Sequence, residues 1–201
     1  MNTQIASWRM GVMPNSIFKV MSLIFALRDR ITAPWSVLDA FGIEKGQTVI
    51  DYGCGTGSYL KRASELVGAE GMVFAVDIHE LAIAAVSRRI EKDKLSNVTA
   101  LLALANSTSL PDETADVIYV LDVFHMVQCP EAFLKELNRI CKRKGELYID
   151  NGHQTRARAI AKMKSSGVWE IAEETSRYIK CNPIKGGQDT PIKTYCKGDL
   201  V

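Results

Sequence analysis

TVIDYGCGTGSYL, residues 48–60, joins a short apolar run to a loop with glycine at alternate positions, and the loop to a candidate helix. The run 48–51 is apolar and largely β-branched, which reads as a buried strand. Asp51 stands at its carboxyl end, and Gly53, Gly55 and Gly57 follow with Cys54 and Thr56 between them. In a doubly wound sheet the first strand–helix turn is where a nucleotide-like ligand lies. Glycines in such a turn admit positive φ and let the backbone approach a ligand with no Cβ in the way. A dinucleotide fingerprint would place its third glycine three residues after the second, but position 58 is Ser. The pattern is G-x-G-x-G with a carboxylate two residues ahead, which suits a cationic ligand better than a pyrophosphate.

Outward from this turn, strands and helices alternate. Apolar stretches at 72–77, 99–103, 117–121 and 146–150 read as strands, and 58–68, 80–94 and the segment after Pro130 as helices. Near-continuous apolar strands separated by helices predict a parallel sheet covered on both faces. A helix near 155–165 precedes two short runs, VWEIAE and RYIKC, too close together for a helical crossover, so at least one should run antiparallel. The expected fold is α/β: a Rossmann-like, doubly wound, seven-stranded sheet, mostly parallel, with an antiparallel strand near the C-terminus. Ahead of the sheet, 16–31 is an apolar-rich helix and a second short helix starts at Pro34 and stops at Gly42. The expected organisation is N-terminal helices over 1–45 (a lid or cap), a ligand-binding domain over 46–183 and a polar tail over 184–201.

These residues together resemble the class I S-adenosylmethionine-dependent methyltransferases, most closely the small-molecule enzymes of the ubiquinone/menaquinone-biosynthesis type. VIDYGCGTGSYL is similar to that family's first motif. Asp77, twenty residues past Gly57, matches its ribose-binding acidic residue, and Ile78 the residue that packs on adenine. NSTSLPDETADVIYVLDVFHMV resembles the stretch usually written with Asp-Ala before Leu-Pro. Asn106 stands at the usual Asp and Ser107 at the usual Ala, and Asn keeps a carbonyl acceptor for an adenine amino group. Leu121 matches a position whose backbone lies beside the methionine moiety. FLKELNRICKRKGELYID resembles the family's helix, basic-Gly turn and fifth strand, so the resemblance spans about residues 41–181. It implies S-adenosyl-L-methionine as cofactor, S-adenosyl-L-homocysteine as product, a small-molecule acceptor, and Asp51, Gly53, Cys54, Gly55, Thr56, Gly57, Asp77, Ile78, Asn106, Ser107 and Leu121 as cofactor-binding residues.

His125, just past strand 117–121, is the candidate catalytic residue, because histidine serves as a general base near neutral pH and this rim is where an acceptor would meet the cofactor. His79 and His153 receive no role, and three scattered histidines make no metal site. Cys54 has no base nearby in sequence and reads as a small residue in a crowded ligand turn. The rivals on the same fold are an RNA or protein methyltransferase and a non-catalytic cofactor-binding protein. LDVFHMV stands where the former would carry an Asn/Asp-Pro-Pro-aromatic motif.

Composition narrows the remainder. The chain has 201 residues, 47% hydrophobic and 24% charged, with a net charge of +2, which excludes a disordered or fibrous protein. No apolar run approaches the roughly 20 residues of a bilayer span, and the N-terminus lacks the features of a signal peptide. Five cysteines without CxxC spacing suggest a reduced, cytoplasmic chain. The basic stretch 131–164 reads as a solvated helix face, so nucleic acid is not expected as a partner. The helix 16–31 could be core, a lid, or a membrane-surface helix, with core or lid preferred.

Overall fold

The computed structural model describes residues 13–104 and 107–186, which fall into two compact units divided at residue 105/106. The first unit holds α1 (Asn15–Ile31), a 3-10 helix (Pro34–Ala40), β1 (Thr48–Tyr52), α2 (Leu60–Val67), β2 (Met72–Asp77), α3 (Glu80–Asp93) and β3 (Val98–Leu102). β1 pairs with β2 and β2 with β3, both parallel. Val49, Ile50, Val73, Ala75 and Val76 are fully or almost fully buried, as strands covered on both faces require. Turn chemistry sets the helix ends. Gly68 closes α2 at φ +68°, and Lys94 closes α3 in the left-handed conformation at φ 53°.

The second unit holds β4 (Ala115–Val120), a 3-10 turn (Phe124–Met126), α4 (Pro130–Ile140), β5 (Cys141–Ile149), α5 (Arg156–Ser166), β6 (Trp169–Glu174) and β7 (Ile179–Pro183). α4 starts on a proline whose fixed φ suits the first turn, and it buries Phe133, Leu134, Leu137 and Ile140, one face of a 3.6-residue period. The Thr155 hydroxyl caps α5 by accepting from the Arg158 N–H at 3.3 Å. β4 and β5 are parallel, and β7 runs antiparallel to both β5 and β6. The seven strands form one mixed sheet in the order β3-β2-β1-β4-β5-β7-β6.

The alternation expected from the sequence is therefore present, with three departures. The expected basic-Gly turn at Lys144–Gly145 lies inside β5, which starts directly after α4 at Cys141. Gly145 is needed there because a Cβ would come within 2.7 Å of the Cys141 sulfur and 2.8 Å of the Ala115 carbonyl oxygen, beside the register shift between Ala115 and Val117. Second, α1 is not a core helix, since none of its residues is buried. Third, the cysteines are not all reduced. Cys54, Cys141 and Cys181 are free thiols, but Cys129 stands in a disulfide, which sequence spacing alone gave no means of pairing. Of the expected tail, residues 187–201 lie outside the described residues.

Candidate functional site

The glycine turn is hooked onto the end of β2. The N–H groups of Gly53 and Cys54 both donate to the Val76 carbonyl, at 2.8 and 3.1 Å, and the Gly57 N–H closes the turn on the Cys54 carbonyl at 2.8 Å. Gly53, Gly55 and Gly57 all have positive φ, at 84°, 51° and 80°, where a side chain would strain the backbone. They differ in what surrounds them. A Cβ on Gly57 would strike Leu60 Cδ1 at 2.7 Å, so that glycine serves the fit of turn to helix. A Cβ on Gly55 would meet nothing within 4 Å. The loop thus keeps an open side at Gly55, and on its far side Arg89 of α3 donates to the Thr56 carbonyl at 3.3 Å while paired with Asp93 at 3.4 Å.

Asp77 ends β2 and faces this loop. Its Oδ2 accepts from the Gly55 N–H at 2.9 Å and its Oδ1 from the His79 N–H at 2.9 Å. Burial nonetheless raises its carboxyl above the usual range, against the pull of those two amides. Asp77 does not cap α3; that role belongs to His79, whose Nδ1 accepts from the Leu81 N–H at 3.1 Å. Asp51 is a second carboxylate here, only 2% exposed within β1. Cys54 is buried close to both, and burial first, then the charges of Asp77 and Asp51, push its thiol well above its ordinary value. The Cys54 sulfur is therefore a protonated packing group and not a nucleophile. Ile78, half-buried, completes the set. Asp51, Gly53, Cys54, Gly55, Thr56, Gly57, Asp77 and Ile78 thus gather at the carboxyl ends of β1 and β2.

His79, without a role in the sequence reading, is 4% exposed and joins this turn to the N-terminal helix. Because Nδ1 accepts from Leu81, Nε2 carries the proton and donates to the Met13 carbonyl at 3.0 Å. The Phe18 ring of α1 stacks on the imidazole, with centroids 4.3 Å apart. Its sequence signal was weak: a histidine directly before a helix's first acidic residue, where Ser, Thr, Asp or Asn would be the usual cap.

In the second unit a different group collects after β4 and β5. Leu121 is buried. Asp122 adopts φ +62°, a left-handed conformation uncommon for a residue with a side chain, and its N–H donates to both oxygens of Asp150, at 3.1 and 3.0 Å. The Gly152 N–H donates to Asp150 Oδ1 at 3.1 Å. Burial, reinforced by the Asp122 charge, pushes the Asp150 carboxyl up to about 6 despite these amides. His125 lies in the 3-10 turn, half-buried, with no hydrogen-bond partner for Nδ1 among the described residues. Its ring meets His153 edge-on at a centroid distance of 4.9 Å. Burial and the nearby His153 lower its pKa, so the imidazole is neutral at pH 7 and able to accept a proton. Gly152 makes room for it, since a Cβ there would come within 2.2 Å of His125 Nδ1. Asp150 and Gly152 were not singled out from the sequence, and His153 received no role there. A carboxylate at the end of the 146–150 strand, placed as Asp77 is on β2, was the available signal for Asp150. Ser107 is exposed, and Asn106 lies outside the described residues.

Known proteins resemble this arrangement. A family described as "Methyltransferase domain" matches residues 43–192. The ubiquinone/menaquinone biosynthesis C-methyltransferase UbiE of Escherichia coli K12 is 30% identical over 113 residues, covering 56% of this chain and 45% of that protein. The chain thus spans less than half the length of these curated relatives. Among solved structures, a SAM-dependent methyltransferase from Aquifex aeolicus superposes with a TM-score of 0.71 at 28% identity, over 85% of this chain and 98% of that one. The [4+2]-cyclase SpnF shares the fold alone, with a TM-score of 0.57 at 18% identity, over 65% of this chain and 53% of that one.

Proposed function

Because this chain belongs to the class I S-adenosylmethionine-dependent methyltransferases, we propose that it transfers the methyl group of S-adenosylmethionine to a small-molecule acceptor, with Asp77 holding the ribose. The observation that carries this proposal is the pairing of Asp77 with the Gly55 N–H at 2.9 Å beside a loop whose Gly55 Cβ position is open.

The residues present fit the cofactor. The Asp77 carboxylate can accept from vicinal ribose hydroxyls, as acidic residues do in dinucleotide sites. A buried carboxylate, Asp51, and a half-buried one, Asp77, favour a cationic ligand, because charges interact strongly where water is scarce. Gly55 lets the backbone come close, and Ile78 offers an apolar surface for adenine. When bound, S-adenosylmethionine supplies a methyl group already activated by its sulfonium.

The chain's own task is then to hold the acceptor in line and keep water out. His125 is the acceptor-side group, its neutral imidazole either taking a proton from a hydroxyl or orienting it by a hydrogen bond. The similarity to UbiE supports a small-molecule acceptor. The test is a turnover assay that counts S-adenosylhomocysteine released against quinones, phenols, thiols and amines. Turnover with at least one of these small molecules is expected; release only with RNA or protein as acceptor would overturn the proposal.

A further inference from the structure

α1 carries two apolar faces, and among the described residues only one of them has a partner. Phe18, Met21, Ser22 and Phe25 are half-buried, with Phe18 stacked on His79. The opposite face bears Ile17, Val20, Leu23, Ile24, Leu27 and Ile31, which are 47–76% exposed. On a 3.6-residue turn, positions 17, 20, 24, 27 and 31 form one continuous stripe and Leu23 widens it. Scattered exposed apolar residues need no explanation, but a contiguous stripe of six large aliphatic side chains marks an interaction surface.

The charges beside the stripe select the occupant. α1 holds three cations, Lys19, Arg28 and Arg30, against one carboxylate, Asp29. That carboxylate is turned to the inner side, where Arg28 meets it at 3.1 Å and leaves it 13% exposed. Lys19 and Arg30 are exposed along one margin of the stripe, and Arg28 borders the other. The outward half of the helix is thus aliphatic and cationic, with no acidic group on it. Two copies pressed together along this stripe would bring cations against cations, and the flanking positions offer no Glu or Asp to pair them. A helix with an apolar face and basic margins fits the boundary between headgroups and acyl chains of an anionic bilayer. Its 17 residues suit lying in that plane, and among the described residues no helix is long and apolar enough to cross a membrane.

We propose that the outer face of α1 docks the protein on anionic lipid membranes. The proposal is independent of the methyl-transfer reaction and is read without measuring it. The experiment is co-sedimentation of the full chain with vesicles of phosphatidylcholine alone and with vesicles of phosphatidylcholine and phosphatidylserine. Partition into the anionic vesicles only, weakened by added salt, is expected. Ile24→Asp/Leu27→Asp should lower the partition coefficient at least about tenfold by placing charge in the buried face. Lys19→Gln/Arg30→Gln should lower it roughly 20–30-fold, about fivefold per cation. Both variants should melt at the wild-type temperature, because the altered side chains are exposed. No partition into anionic vesicles, or equal partition into neutral ones, would overturn the proposal. So would a concentration-dependent dimer in sedimentation velocity that Ile24→Asp/Leu27→Asp abolishes, since the stripe would then belong to a second copy.

Discussion

Two strand-end carboxylates, Asp77 and Asp150, receive backbone N–H groups in similar fashion, yet they carry different predictions. If Asp77 holds ribose hydroxyls, Asp77→Ala should weaken S-adenosylhomocysteine binding by roughly 1–3 kcal/mol, the usual cost of leaving polar partners unmade. Isothermal titration of wild type and variant measures this, and equal affinities would remove Asp77 from the site. For Asp150 the observable is stability. Its folded carboxyl is raised to about 6, so the native state binds more protons than the unfolded chain between pH ~4 and ~6. Its contribution is thus fully present in acid and is lost as pH climbs through this window, a decline of no more than about 3 kcal/mol. Denaturant unfolding across pH 4–7 should show a steeper decline in wild type than in Asp150→Asn. A difference between the two proteins that stays constant with pH would contradict the raised pKa. His125→Ala should leave S-adenosylmethionine affinity nearly unchanged and lower turnover about 10²–10⁴-fold if the imidazole is a general base. The acidic limb of the wild-type rate profile should lie below the ordinary histidine value, because burial and His153 lower its pKa. Unchanged turnover on a verified acceptor would return His125 to a packing role. The glycines and Asp77 were legible in sequence because their spacing is local. Asp150 and Gly152 were not, because their significance arises from a left-handed backbone at Asp122 and from Gly152 packing against His125.

At the scale of elements, α1 is fastened beside the glycine turn through His79 rather than through a buried face. Removing residues 1–31 should leave a folded core that still binds S-adenosylhomocysteine, since α1 contributes no buried residue. Turnover should drop if α1 also shields the reaction from water. Circular dichroism and titration of the truncated chain check this, and loss of folding would contradict the surface placement. His79→Ala removes the α3 cap, the bond to the Met13 carbonyl and the stack on Phe18 together. It should cost about 1–2 kcal/mol in stability. The hydrophobic period of residues 16–31 was legible, but the direction of its apolar face was not. An apolar helix can bury its stripe in its own core or present it outward, and sequence pattern alone does not distinguish these. The 3-10 turn Phe124–Met126 was invisible for a simpler reason: three residues carry no period.

At the scale of the whole molecule, the alternation of apolar strands with helices made the sheet legible, and two short runs near the C-terminus made its antiparallel end legible. These are properties of patterning and connection length. The fold does not fix the chemistry, as the shared architecture of the cyclase SpnF illustrates. We propose that what the chain binds is decided at the glycine turn, where G-x-G-x-G, Asp51 and Asp77 favour a nucleoside ligand without a pyrophosphate over a dinucleotide. Calorimetric titration with S-adenosylhomocysteine and, separately, NADH tests this most directly. S-adenosylhomocysteine should bind saturably and raise the melting temperature, as a ligand of the native state must, while NADH should do neither. Tight NADH binding with no heat from S-adenosylhomocysteine would contradict the assignment of the site.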